Sequence, residues 1–140
     1  MSTDKNAEIT LVTGVIGEDV HNVGLKIIEH ALRKVGYNIV SLGVQVPQEE
    51  FVSAAQESAA DAILISSLAG HAHVDCEGFR DKLSEAGLGN IRMYIGGQLT
   101  VVEEPWEDTE KAFKDIGFNR VYPKSVGIAQ IIQDLDADLK

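Results

Sequence analysis

Ile9-Thr10-Leu11-Val12-Thr13-Gly14-Val15-Ile16-Gly17-Glu18-Asp19-Val20-His21-Asn22-Val23-Gly24 begins as a strand and ends as a helix. Ile9 to Gly14 is a short apolar, β-rich run, and from Val23 to Val35 the apolar residues recur at helical spacing. In an open α/β sheet such a junction lies at the carboxyl end of a strand, where these folds bind ligands. The junction holds His21 with Asp19 two residues before it, the pattern of a metal-ligating imidazole and a carboxylate that fixes its tautomer.

The same alternation continues along the chain. Asn38 to Leu42, Ala62 to Ser66, Arg92 to Ile95 and Arg120 to Tyr122 read as further strands, short and mostly apolar, as strands buried on both faces are. Helical segments are predicted at Val23 to Val35, Gln48 to Ala59, Asp75 to Ala86, Pro105 to Asp115 and Ser125 to Leu139, with glycines after three of them and prolines beside two starts. The order is (βα)5. Right-handed crossovers then give a doubly wound five-stranded parallel sheet of the flavodoxin-like, Rossmann-like kind, with strand order 2-1-3-4-5.

At 140 residues, 44% of them hydrophobic, the chain reads as a single domain, residues 1–140, large enough for a core. Met1 to Glu8 is polar and reads as a disordered terminus. A formal charge of −10 argues against nucleic acid or an anionic membrane surface as partner. The acidity alone does not separate a high-salt cytoplasm from an ordinary one. No apolar run approaches the ~20 residues of a membrane span, and the single cysteine, Cys76, forms no internal disulfide, so a cytoplasmic location is expected.

The expected order places the switch point between strands 1 and 3, so three loops converge on one rim: Gly14 to His21, Ser66 to Gly70, and Gly96-Gly97. Glu18 and Asp19 would repel the phosphate of a flavin nucleotide. A phosphorelay receiver needs an aspartate at the end of strand 3, where Ser66 stands. His71 and His73 form a second histidine pair nearby, read as a solvated loop, while His30 reads as a surface or partly buried helix residue and Cys76 as a small interior one.

Asp19-x-His21-x-x-Gly24, Ser66-x-Leu68 and Gly96-Gly97 together resemble the three-part signature of domains that bind cobalamin with its dimethylbenzimidazole base detached. Gly14 to Gly17, Ala60 to Leu68, Asp75 to Gly78 and Arg120 to Pro123 extend the likeness to the small subunits of glutamate mutase (methylaspartate mutase), over nearly the whole chain. The resemblance implies that His21 is the cobalt ligand, that Asp19 accepts a hydrogen bond from its other nitrogen, and that Gly24 leaves room for the displaced nucleotide tail. It places the tail in a crevice between strands 1 and 3, with Ser66 on the base, Leu68 on the corrin side, and Gly96 and Gly97 passing close to the tail.

The resemblance further implies adenosylcobalamin as cofactor and a radical isomerisation of L-glutamate to 3-methylaspartate. No catalytic base or arginine set for the substrate is visible, so a larger barrel subunit is the implied partner, in a heterotetramer of two small and two large chains. A corrinoid carrier of a methyltransferase system shares the histidine signature and is the alternative. Such carriers generally have a helical cap before the cobalamin domain, and about eight residues precede strand 1 here. A cobalamin-sensing module is a third possibility, without a visible output domain. The connection Tyr122 to Gly127 is shorter than those small subunits usually show, which leaves open what closes the nucleotide end of the crevice.

Overall fold

The computed structural model describes residues 8–17, 23–67, 72–97, 99 and 104–139. In chain order the elements are β1 (Thr10–Val15), α1 (Val23–Lys34), β2 (Asn38–Ser41), α2 (Gln48–Ser58), β3 (Ala62–Ser67), α3 (Ala72–Asp75), α4 (Phe79–Glu85), β4 (Arg92–Gly97), α5 (Trp106–Ile116), β5 (Arg120–Tyr122) and α6 (Ile128–Leu139). The five strands pair in parallel in the order β2-β1-β3-β4-β5, as the alternation of strands and helices predicts.

Alternate strand residues feed two cores. Val12, Ile63, Ile65, Met93 and Ile95 point toward the face covered by α2, α4 and α5, where Phe51, Phe79, Leu83 and Phe113 pack. Leu11, Ala62, Leu64, Tyr94 and Tyr122 point toward the face covered by α1 and α6, against Leu32, Ile131 and Leu135. Phe51 is fully buried and its ring lies 5.8 Å from that of Phe79, so truncating it to alanine removes contacts of a kind that cost about 3–5 kcal/mol.

Two helix starts differ by three or more residues. The helix expected from Asp75 to Ala86 starts at Phe79, and a separate turn of helix, Ala72–Asp75, ends where it was expected to begin; between them Gly78 takes φ 75°, a left-handed conformation open to glycine, and the amide of Phe79 turns back to the carbonyl of Cys76. The last helix starts at Ile128 rather than Ser125, since Pro123 to Val126 closes a turn in which the Val126 amide donates to the Pro123 carbonyl at 3.0 Å.

All three tyrosines of the chain fasten α6 to the sheet. Tyr37 donates to Asp136, Tyr94 to Asp138 at 2.7 Å and Tyr122 to Asp134 at 2.7 Å. Asp138 also accepts two bonds from Arg120, at 2.7 and 2.9 Å, and this guanidinium is the main reason its carboxyl is held below the usual range. Burial, and next the carboxylate partner, push each of these phenols well above its ordinary value of 10.0. A phenol whose folded value is raised contributes stability that is complete below pH ~10 and is lost as the pH rises beyond it. Chemical denaturation at pH 9 and pH 11 should therefore show a marked loss at the higher pH, and Tyr122→Phe should shrink that difference.

Candidate functional site

The strand ends build the site by their period of two. Leu64 and Ser66 share one face of β3, Tyr94 and Gly96 the same face of β4, and Tyr122 follows at the end of β5. Gly24 and Ile28 of α1, Val126 of the turn and Ile131 of α6 complete the wall around a cavity of about 410 Å³. That size suits a small organic group. Its inner lining is apolar: the phenol oxygens of Tyr94 and Tyr122 are already engaged with Asp138 and Asp134, so the rings present carbon rather than polar atoms.

Four of the seven residues singled out from the sequence line this cavity: Gly24, Ser66, Gly96 and Gly97. A Cβ on Gly24 would meet nothing within 4 Å, so the helix start leaves open space at the cavity wall. Gly96 has a further reason to lack a side chain, since a Cβ there would lie 3.3 Å from the Cβ of Tyr122 on the neighbouring strand. Gly97 takes φ 119°, which a side chain would strain. Asp19, His21 and Leu68 lie outside the described residues, as does His71.

β1 and β3 are hydrogen-bonded neighbours from Leu11 paired with Ala62 to Val15 paired with Ser66, as the expected strand order requires, and the segments beyond their carboxyl ends, where the crevice is expected, lie outside the described residues. The open volume is on one face of the sheet, between α1 and α6 over the ends of β3, β4 and β5, and no residue of β1 is among its described lining. Tyr94, Tyr122 and Ile131 were therefore missed. Period two alone would have found the first of them, two residues before Gly96.

The described chain runs past β1 to an anchored point at Gly17, just before Asp19 and His21 in sequence. Ile16 bridges to Val46, and the Gly17 amide donates to the Val46 carbonyl at 3.0 Å. Gly17 has φ 75°, and an added Cβ would lie 2.5 Å from a carboxylate oxygen of Asp75, so the position is closed to other residues by both backbone and packing. Gln48, buried behind it, donates to the carbonyls of Asp75 and Glu77 at 2.6 and 3.0 Å. These contacts fix the chain up to Gly17, and it is described again from α1, whose Gly24 lines the cavity.

The remaining candidates separate from the site. His73 is on α3 rather than in a loop, with its ring edge-on to Phe113 at 6.0 Å, on the sheet face opposite the cavity. His30 is exposed on α1. Cys76 is fully buried, and desolvation raises its thiol, which leaves it inert. Among the described residues no group of three or more His, Cys, Asp or Glu is placed to hold a metal ion, and no helix is long and apolar enough to cross a membrane.

A parallel sheet with an apolar cavity at its carboxyl rim is the architecture of a cofactor-carrying α/β domain, and residues 9–118 match the family of B12 binding domains. The glutamate mutase sigma subunit of Clostridium tetani is 50% identical over 131 residues, covering 91% of this chain and 96% of that protein. The glutamate mutase sigma subunit of Clostridium cochlearium is also 50% identical, over 133 residues, covering 92% of this chain and 97% of that one. Among solved structures, the methanol:cobalamin methyltransferase complex of Methanosarcina barkeri superposes with a TM-score of 0.70 at 28% identity, over 92% of this chain and 46% of that chain. The chain belongs to the B12-binding family and, within it, to the glutamate mutase sigma subunits.

Proposed function

We propose that this chain is the cofactor-carrying half of a cytoplasmic, adenosylcobalamin-dependent glutamate mutase, holding the corrinoid with its own base displaced. The observation that carries this is the apolar cavity bounded by Gly24, Ser66, Gly96 and Gly97, in a chain of the glutamate mutase sigma family. A displaced dimethylbenzimidazole is flat and apolar. Walls formed by Leu64, Ile28, Ile131 and the two phenol rings suit it, and the half-buried Ser66 supplies a hydroxyl at the rim.

His21, three residues before Gly24, would ligate cobalt, and Asp19 would hold its imidazole in the ligating tautomer. Leu68, two residues beyond Ser66, would face the corrin. When bound, the cofactor supplies a carbon-centred adenosyl radical for interconverting L-glutamate and 3-methylaspartate. This chain's own contribution is to bind, to orient and to keep the tail out of water. A large barrel-fold subunit would hold the substrate, in an assembly of two small and two large chains.

The alternative is a methyl-carrying corrinoid protein, because the methyltransferase complex shares the fold. The identities favour the mutase, at 50% for the sigma subunits against 28% for that complex.

Titrating the purified chain with adenosylcobalamin and measuring the corrinoid retained with the protein on ultrafiltration tests the assignment. Wild type should bind the cofactor and keep a nitrogen-ligated spectrum, because an imidazole replaces the benzimidazole on cobalt. Gly24→Leu should fill the cavity wall and weaken binding, while thermal unfolding stays level or improves, because glycine is ~1 kcal/mol worse than alanine within a helix. Unchanged binding by Gly24→Leu would separate the cavity from the cofactor.

A further inference from the structure

We infer that Lys124 is an anion-binding residue for the phosphodiester of the cofactor's nucleotide tail, an inference that rests on the cobalamin reading above. Cobalamin's tail joins an apolar aromatic base to a ribose and a singly charged phosphodiester. The base suits the cavity interior. The phosphodiester does not, since Leu64, Ile28, Ile131 and the engaged phenols offer no group to offset its desolvation. It must stay at the mouth.

Lys124 is the one charged residue lining the cavity among the described residues. It is exposed in the turn closed by the Val126 amide on the Pro123 carbonyl, directly after Tyr122, and forms no hydrogen bond or ion pair with the described residues. Segments 18–22, 68–71 and 98–103 contain no lysine or arginine, and the first of them carries Glu18 and Asp19. On a chain of net charge −10, an anion reaching this mouth has Lys124 as its cation. The turn that follows β5 thus closes the nucleotide end of the site.

Binding of cob(II)alamin and of cob(II)inamide, which lacks the nucleotide and its phosphodiester, should be measured for wild type, Lys124→Gln and Lys124→Glu at low and high salt. For cob(II)alamin at low salt, Lys124→Gln should lose about two- to five-fold in affinity, the scale of one exposed ion pair. Lys124→Glu should lose more, and both losses should shrink in high salt. Cob(II)inamide affinity should be the same in all three proteins. Equal cob(II)alamin affinity in wild type and both variants would overturn the inference, as would an equal loss toward cob(II)inamide, which would place the lysine's effect on the corrin or the fold. A wild-type chain that binds neither corrinoid would overturn the cobalamin assignment itself, and this inference with it.

Discussion

Purified alone, the 140-residue chain is expected to show no interconversion of glutamate and 3-methylaspartate, and to gain it only when a large subunit and adenosylcobalamin are both supplied. A substrate with two carboxylates and an ammonium needs opposed charged groups around it. Among the described residues the cavity offers a single charged side chain, Lys124, and its inner wall is hydrocarbon. Arg80, Arg92 and Arg120 stand elsewhere: Arg80 donates to the carbonyls of Gly89, Ile91 and Gly117, Arg92 is at the amino end of β4, opposite the end that carries Gly96 and Gly97, and Arg120 is paired with Asp138 and Asp134. Any complex that buries both faces of the corrin links the three components, so the large subunit should also tighten cofactor binding by this chain. Gel filtration with and without adenosylcobalamin reads that coupling. Turnover by the small chain alone would refute the division of labour.

The second large effect is expected at Asp19. If its carboxylate holds the His21 imidazole in the ligating tautomer, Asp19→Asn should keep the fold and lower cofactor affinity or turnover by about 10- to 100-fold, the usual range for a group that supports a metal ligand. Circular dichroism should be unchanged, because the segment is launched by Gly17 and Val46 contacts that the substitution does not touch. Affinity and turnover equal to wild type would remove Asp19 from the site.

The sheet was legible because its signal is simple. Runs such as Ala62-Ile63-Leu64-Ile65 are short and apolar on both faces, as a strand covered by helices on both sides requires, and Gly36, Gly87 and Gly117 each follow a helix. The boundaries that moved depend on backbone choices with a weak sequence signature. Asp75 to Ala86 keeps helical periodicity straight across Gly78, and the positive φ adopted there delays the helix start to Phe79.

The site was legible as a motif and less so as a volume. Gly24, Ser66, Gly96 and Gly97 came from residue identity and spacing, and the fold brings all four to one cavity. Its far wall, Tyr122 and Ile131, comes from β5 and α6, whose approach is set by tyrosine–aspartate bonds across the sheet edge rather than by anything local to the motif. Among the described residues the room lies between α1 and α6 over the ends of β3, β4 and β5, and the segments at the switch point lie outside them.

The most direct measurement is electron paramagnetic resonance of cob(II)alamin bound to the chain, prepared with nitrogen-15 at histidine only. Ligation by His21 predicts superhyperfine splitting from a spin-½ nitrogen of the protein, lost in His21→Gly. Splitting from the spin-1 nitrogen of the cofactor's own benzimidazole, unchanged by the label, would contradict base-displaced binding and the site built on it.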